Sequence, residues 1–289
     1  MSREEFNFFA RHSKKTKAGE AGSREYSGLT QDGVELGCET AAKELKPLID
    51  QLPKNAVIAL IGASDQVRTK STAQLFGDEL KDIYENTRAD FEGGSGVIIK
   101  TKGDIADPEK SYSKIIKELQ QEVAAHPDKK FVIDFPLFIN EFSNQPWLND
   151  QGENSEFTTK LLEISGGDQN QAVLNWVDSD GTIEGLQGPQ PMESAQRYKQ
   201  GFNRLREFVK KYVPGRPVFI GGAGHSWDLD AFIAYMTHGK VDSESIRQIM
   251  GAEEKMIQET EPFYFKVEPE RIISRYRGQD YEFPLADKN

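Results

Sequence analysis

The chain has 289 residues, of which 37% are hydrophobic, including 17 Phe. That apolar share is enough for a sizeable core, which excludes a wholly disordered chain, and the length suits one α/β domain with an insertion. The formal net charge of -11 argues against a broad surface for nucleic acid or anionic membranes, because both require basic patches.

The first half of the chain alternates between short apolar runs and amphipathic stretches. Residues 6–10 predict a buried strand, and residues 29–52 repeat apolar side chains at helical spacing behind Thr30, a good N-cap. The elements that follow are a strand at 56–62, a helix through 72–83, a strand at 96–101, a helix through 115–123 and a strand at 130–139.

The second half continues the pattern after an interruption. It predicts a helix at 193–213, a strand at 216–222, a helix at 226–238 and hairpin strands between 263 and 283. Strands that alternate with helices predict a three-layer α/β/α fold with a mostly parallel central sheet. We therefore expect a single domain over residues 1–289.

Residues 140–191 interrupt this alternation. The segment is rich in Asn, Gln, Gly, Asp and Ser, and it contains Trp147 and Trp176. Long segments of this kind are commonly functional lids or irregular excursions. Two interpretations stay open, a surface excursion anchored by the tryptophans and an inserted cap over an active site.

One cysteine, Cys38, excludes an internal disulfide, and no Cys/His spacing indicates structural zinc. The opening residues MSREEF lack the pattern of a signal peptide, and no apolar run approaches membrane-spanning length. These features predict a cytoplasmic protein that uses no metal and no other cofactor.

Chemically useful residues follow three of the predicted strands. Arg11 and His12 end the first strand, Arg68 follows the second, and His225 follows a glycine-rich turn after the strand at 216–222. Ligands of open α/β sheets bind outside the carboxyl ends of the strands. If these strands are neighbours, two guanidinium groups and two imidazoles converge on a phosphate site, where a neutral imidazole can attack phosphorus.

Each of these residues also has a simpler interpretation. His12 alone is a histidine at a strand end, Arg68 alone is a solvated helix residue, and His225 alone caps the next helix. The three simpler interpretations would have to be true together at three separate strand–helix junctions. We therefore favour the phosphate site. Ser64 and Thr72 are interpreted as turn and helix-start residues.

The other signals are weaker. His126 and His238 have no comparable setting, and we interpret them as structural or surface residues. The glycines of GGAGH lack the spacing and the downstream acid of a dinucleotide loop. Four cations lie in the loop after His12. Singly they are interpreted as solubilising surface residues, and as a cluster beside a phosphate pocket they could attract a second anionic group: Lys14, Lys15, Lys17 and Arg24.

Four motifs, RHS, YSGLTQDGVELG, SDQVRTKSTA and GGAGHSWDL, occur in the order found in the histidine phosphatase superfamily, which has the phosphoglycerate mutase-like fold. The chain resembles that family over roughly its first third and around His225, with Ser13 where the family usually has Gly. The middle of the chain and its C-terminal hairpin match no motif of the family.

The resemblance implies a role for each matched residue. His12 would be the nucleophile, Arg11 and Arg68 would clamp the phosphate, and His225 would stabilise the transferring group. Such chemistry depends on positioning and electrostatics and needs no metal. The second ring nitrogen of His12 should be held by a backbone carbonyl.

The general acid is not determined by the sequence. In the mutase branch of the family a Glu after the third strand serves, whereas the phytase-like branch uses an Asp directly after the second histidine, a place that Ser226 takes here. Asp104 is our first choice, and the alternatives are Asp107, Glu92, Asp134 and Asp228.

Three functions follow from the resemblance. The first is a metal-independent phosphatase that hydrolyses a phosphate monoester of a small molecule through a phosphohistidine. The second is a phosphomutase of the phosphoglycerate type, and the third is a non-catalytic phosphate-binding protein of the same fold. The sequence indicates no nucleic-acid or membrane partner, and it leaves the substrate and the oligomeric state open.

Overall fold

The computed structural model of the protein describes residues 5–17, 19–88, 96–105, 107, 109–135 and 139–285. The strands are β1 (Asn7–Arg11), β2 (Val57–Gly62), β3 (Val97–Lys100), β4 (Lys130–Asp134), β5 (Thr182–Ile183), β6 (Leu186–Gln187), β7 (Val218–Gly224), β8 (Pro262–Val267), β9 (Arg271–Tyr276) and β10 (Gln279–Pro284). The helices are α1 (Gln31–Thr40), α2 (Lys46–Gln51), α3 (Val67–Arg88), α4 (Lys102–Ile105), α5 (Tyr112–Ala125), α6 (Glu156–Ile164), α7 (Gln169–Asp178), α8 (Pro191–Tyr212), α9 (Ser226–His238) and α10 (Ser243–Met250). A π-helical stretch, Ala41–Leu45, joins α1 to α2, and short 3-10 helices cover Asn140–Phe142 and Gln145–Trp147.

The main sheet has the strand order β10-β9-β8-β1-β7-β2-β4-β3. Strands β1, β7, β2, β4 and β3 run parallel to one another, whereas β8, β9 and β10 add an antiparallel edge next to β1. Separate apolar clusters pack on the two faces, beneath α5, α8 and α9 on one and beneath α2 and α3 on the other. The predicted fold class, α/β with a mostly parallel sheet covered by helices, is confirmed.

Most predicted elements are present with small shifts at their ends. Thr30 caps α1 by accepting a hydrogen bond from the amide of Gly33 at 3.0 Å, as its sequence position indicates. The strand predicted at 130–139 ends at Asp134, and residues 136–138 lie outside the described part of the chain. Helices α4, α6, α7 and α10 were not predicted: α6 and α7 lie in the segment at 140–191, which was interpreted only as an excursion or a cap, and α4 and α10 have only 4 and 8 residues.

The glycine-rich end of β7 is explained by aromatic packing. A Cβ on Gly221 would collide with the ring of Phe8, and one on Gly224 would collide with the hydroxyl of Tyr198. Tyr198 is itself buried against the ring of Phe9, with the ring centroids 5.2 Å apart. The glycines therefore let large side chains lie flat on the sheet, and no dinucleotide is needed to account for them.

The segment at 140–191 folds around its tryptophans. It contains α6, α7 and the small β5-β6 hairpin, with Trp147 and Trp176 buried and their ring centroids 4.8 Å apart. Trp147 also contacts Trp227 of α9, with the ring centroids 4.9 Å apart, so the segment packs against α9. Within the described residues, no helix is both long and apolar enough to cross a membrane.

Candidate active site

The strand order brings the three predicted strand ends together. Strand β7 lies between β1 and β2, with Arg11 opposite Gly224 and Gly62 opposite Ala223 in the parallel register. The residues that follow these strands line one cavity of about 190 Å³. Its lining includes Arg11, His12, Lys15, Arg68 and His225 at one end, together with side chains from α9 and from the segment at 140–191.

His12 is buried, and its imidazole is fixed by two contacts. Nδ1 lies 2.7 Å from the carbonyl oxygen of Ser13, which is the predicted backbone carbonyl, and Nε2 accepts a hydrogen bond from Nε of Arg68 at 3.2 Å. This network assigns the proton to Nδ1 and a lone pair to Nε2. Burial lowers the pKa of His12 to about 3, and the charges of Arg68 and Arg11 act in the same direction. His12 is therefore neutral near pH 7.

His225 lies beside His12, with the ring centroids 5.2 Å apart and the rings nearly perpendicular. Its Nδ1 is 3.3 Å from Nη2 of Arg68, and its Nε2 is 2.9 Å from Oγ of Ser64. Since an arginine only donates, Nδ1 accepts and Nε2 carries the proton. Burial holds the pKa of His225 well below its usual value. Although His225 precedes α9, its side chain makes no capping hydrogen bond.

Arg68 is the group that joins the two histidines. It is the second residue of α3, so its guanidinium lies where the helix N-terminus already favours an anion. Besides both imidazoles, it donates to Oε1 of Gln66 at 3.2 Å. One planar side chain thus orients both rings towards the same space.

Ser64 and Thr72 do more than their predicted roles as turn and helix-start residues. Ser64 contacts His225 directly, and Oγ1 of Thr72 accepts a hydrogen bond from the amide of Ser13 at 3.0 Å. Both are buried behind the histidines. The sequence signal for this support is limited to Ser64, which follows β2 closely, because Thr72 lies in the second turn of α3 and neither residue lines the cavity.

Arg11 is anchored by a segment that sequence reasoning missed. Its Nη1 donates to the carbonyl of Ile257 at 3.1 Å, and its Nη2 lies 3.6 Å from a carboxylate oxygen of Glu259. The amide of Thr260 donates to the carbonyl of Arg11 at 3.0 Å. Asp230, a buried residue of α9, accepts a hydrogen bond through Oδ1 from the amide of Ile257 at 2.9 Å. Helix α9 therefore fixes the segment around Ile257, and that segment in turn fixes Arg11.

The structure does not bring Asp104, the first choice for the general acid, to this cavity. Asp104 pairs with Nζ of Lys81 at 2.7 Å and accepts from the amide of Thr101 at 2.9 Å. Burial acts to raise the pKa of Asp104, but these hydrogen bonds and the Lys81 charge lower it overall. A carboxylate held ionised and away from His12 is a poor proton donor.

Two of the alternative acids lie elsewhere as well. Asp107 lines a different surface cavity and is 3.5 Å from Nζ of Lys110. Burial, helped by the charge of Asp78, raises the pKa of Asp134 to about 7, yet Asp134 is not among the residues that line the His12 cavity. Glu92 lies outside the described residues.

Asp228 is the one carboxylate among the described residues that line the His12 cavity. It is buried, with Oδ2 accepting from Nε1 of Trp147 and Oδ1 accepting from Nη2 of Arg197, both at 3.1 Å. Burial raises the pKa of Asp228, although Arg197 and Trp147 oppose the shift. The sequence placed Asp228 at a helix start, and only packing with Trp147 shows it at the cavity.

The four cations after His12 separate in the structure. Lys15 lines the cavity at its exposed rim, and partial burial together with the charges of Arg68 and Arg11 lowers its pKa. Lys14 is 3.6 Å from Asp32, and Lys17 and Arg24 are exposed outside the lining. His126 and His238 also lie outside it.

In the described part of the chain, no group of three or more His, Cys, Asp or Glu side chains is arranged to hold a metal ion.

No protein-family model and no curated protein matches the chain. Among solved structures, it is similar to a mycobacterial glucosyl-3-phosphoglycerate phosphatase at 12% identity and a TM-score of 0.45, over 91% of this chain and 90% of that one. It is also similar to a protein described as mycobacterial hydrolase 2 at 13% identity and a TM-score of 0.45, over 98% and 93%. The product of an open reading frame from Mycobacterium tuberculosis is 13% identical with a TM-score of 0.44, over 94% and 96%.

These neighbours are members of the histidine phosphatase superfamily, which the sequence motifs resemble. At such low identities and TM-scores they carry no weight for activity.

Proposed function

We propose that this protein is a metal-independent phosphatase that hydrolyses a phosphate monoester of a small molecule through a phosphohistidine on His12. One observation carries the proposal: a single guanidinium, that of Arg68, contacts Nε2 of His12 at 3.2 Å and Nδ1 of His225 at 3.3 Å. A nucleophilic lone pair, a phosphate clamp and a second imidazole therefore point at the same space.

The proposed reaction has two steps. In the first, the Nε2 lone pair of His12 attacks phosphorus, the bond from phosphorus to the ester oxygen breaks, and that oxygen takes a proton from a general acid. In the second, water attacks the phosphohistidine, the nitrogen–phosphorus bond breaks, and the proton of the water returns to the acid. The products are the alcohol and inorganic phosphate.

The cations of the cavity suit this chemistry. Arg68 can exchange its hydrogen bond to His12 for one to a phosphate oxygen, and Arg11 faces the same cavity from β1. When Arg68 turns to the phosphate, the proton of the neutral His225 can lie on Nδ1, which then donates to a phosphate oxygen while Nε2 accepts from Oγ of Ser64. Charge that develops in the transition state thus meets groups already in position.

Asp228 is our proposed general acid, because it lines the cavity and burial raises its pKa. A general acid accelerates the reaction most when the leaving oxygen is a strong base. Loss of the acid should therefore slow hydrolysis more for a substrate with a basic leaving group than for one with a weakly basic leaving group. We expect Asp228→Asn to lower kcat/KM about hundredfold for an alkyl phosphate and only a few-fold for p-nitrophenyl phosphate. Equal losses for both substrates would assign Asp228 to holding Trp147 and Arg197 instead.

The test of the proposed function is hydrolysis of p-nitrophenyl phosphate, with acid-stable and acid-labile phosphoenzyme measured after rapid quenching. We expect the wild type to form an acid-labile phosphoenzyme, and His12→Ala to form none. His126→Ala removes an exposed histidine away from the cavity and serves as the matched control. Unchanged turnover in His12→Ala would exclude this mechanism.

Other outcomes separate the two alternatives. A phosphoenzyme that forms but resists water would indicate a phosphomutase, which must hold the phosphoryl group until the substrate has turned. Binding of vanadate or phosphate with no phosphoenzyme would indicate a non-catalytic phosphate-binding protein.

A further inference from the structure

We infer that the leaving group of the substrate is an uncharged alcohol, a conclusion that rests on the proposed function and deepens it. The cavity has two chemically different ends. Arg11, His12, Lys15, Arg68 and His225 form the cationic end, and the far end decides what kind of alcohol the cavity accepts. The segment at 140–191 and α9 contribute the residues that line that end, called here the far wall.

The far wall mixes apolar and amide side chains. Leu148, Leu162 and Trp227 supply apolar surface, and Asn144 and Asn154 supply neutral hydrogen-bonding groups. None of the described lining residues from the segment at 140–191 is charged. An ionic group on the leaving alcohol would lose water there without gaining a partner of opposite charge, which is strongly unfavourable.

Two further features of the lining bear on the charge of the leaving group. Asp228 lies in the same lining and becomes a carboxylate once it has given its proton to the leaving oxygen, so a second carboxylate or phosphate on the departing alcohol would meet a group of like charge. Nε1 of Trp227 is buried and has no hydrogen-bond partner among the described residues. This N–H can donate to a hydroxyl or carbonyl oxygen of the alcohol, and because it carries no charge it does not offset the cost of burying an anion.

The cationic end of the cavity has no positive charge to spare for an anionic leaving group. Arg11, Lys15 and Arg68 line it, both histidines are lowered in pKa and neutral, and Glu259 pairs with Arg11. Three cations and one carboxylate leave two positive charges, which a phosphate dianion balances. The transferred phosphate therefore uses the positive charge, and none remains for a second anionic group.

A matched pair of substrates tests this inference. The compounds 4-carbamoylphenyl phosphate and 4-carboxyphenyl phosphate have nearly the same shape, but only the second carries a charge on its leaving group. We expect wild-type kcat/KM to favour the carbamoyl compound by about tenfold or more. Equal or reversed preference would overturn the inference.

A charge introduced at the far wall provides the second arm. Leu162→Lys places an ammonium group there, and we expect it to shift the preference towards the carboxylate by about tenfold. Leu162→Met, which changes shape without charge, should keep the wild-type preference. The inference is overturned if both variants shift the preference equally.

Failure of the inference and failure of the proposed function give different results. Hydrolysis of p-nitrophenyl phosphate with rejection of both matched compounds would overturn the inference and leave the phosphatase proposal standing. Absence of any hydrolysis and of any phosphoenzyme would overturn both.

Discussion

Nε of Arg68 donates a hydrogen bond to Nε2 of His12 across 3.2 Å. Because the guanidinium cannot accept, this contact requires an unprotonated Nε2, and the carbonyl of Ser13 holds the proton on Nδ1. The nucleophilic atom and the proposed clamp are thus oriented by each other. The same guanidinium reaches His225, so loss of Arg68 disturbs both imidazoles at once.

Replacement of Arg68 should weaken phosphate binding severely. Arg68→Ala removes the clamp, and Arg68→Lys keeps the charge but loses the fork that contacts both imidazoles. We expect vanadate affinity to fall about hundredfold for Ala and about tenfold for Lys, as measured by calorimetry. Arg204→Lys, at an exposed ion pair with Glu141, should bind vanadate as the wild type does. A Lys variant with wild-type affinity would refute the fork argument.

The lowered pKa of His12 should make the fold sensitive to acid. The pKa is about 3 in the folded protein and 6.5 ordinarily, so between these values the unfolded chain binds more protons. Stability is therefore fully present above pH 6.5 and is lost as the pH falls towards 3. Between pH 7 and 4.5, we expect the unfolding free energy of His12→Gln to fall by about 2 kcal/mol less than that of the wild type, as measured by urea unfolding. His126→Gln is the control, and an equally steep loss in His12→Gln would contradict the assignment.

Lys15 and Lys14 form a natural matched pair, since they are adjacent in sequence but differently placed. Lys15 lines the cavity, whereas Lys14 is exposed and pairs with Asp32. We expect Lys15→Ala to weaken phosphate binding about fivefold at low salt and to reduce its salt dependence, because one cation near the anion is lost. Lys14→Ala should change neither property. Equal effects would mean that only the net charge of the loop matters.

Asp230 should act as a positioning residue for Arg11 through the backbone of Ile257. Burial raises the pKa of Asp230 to about 7, and its Oδ1 acceptor is retained in Asp230→Asn. We expect Asp230→Ala to lower vanadate affinity about tenfold and Asp230→Asn to stay within about threefold of the wild type.

The control for this prediction is a residue that affects stability alone. Asp242 caps α10 by accepting from the amide of Ser245, away from the cavity. Asp242→Ala should cost about 1 kcal/mol of unfolding free energy without changing vanadate affinity. If Asp230→Ala behaves in the same way, Asp230 has a structural role only.

Sequence patterns alone determined most of the secondary structure and the chemical character of the site. Apolar residues at period 3.6 and continuous apolar runs are local signals, so the strand at 56–62 and the helix at 226–238 were predicted within a residue of their observed bounds. The residues His12, Arg68 and His225 stood out because each follows a predicted strand. Their residue types already indicated phosphate chemistry.

Only the tertiary structure decided how these pieces meet. The insertion of β7 between β1 and β2 is a pairing of strands far apart in the chain, which no local period encodes. The same limit separates Asp104, which packs against Lys81, from Asp228, which reaches the cavity through Trp147. The anchoring of Arg11 by Ile257 joins residues 246 positions apart. Such contacts depend on how helices and loops pack over the sheet, and that packing is a property of the whole fold.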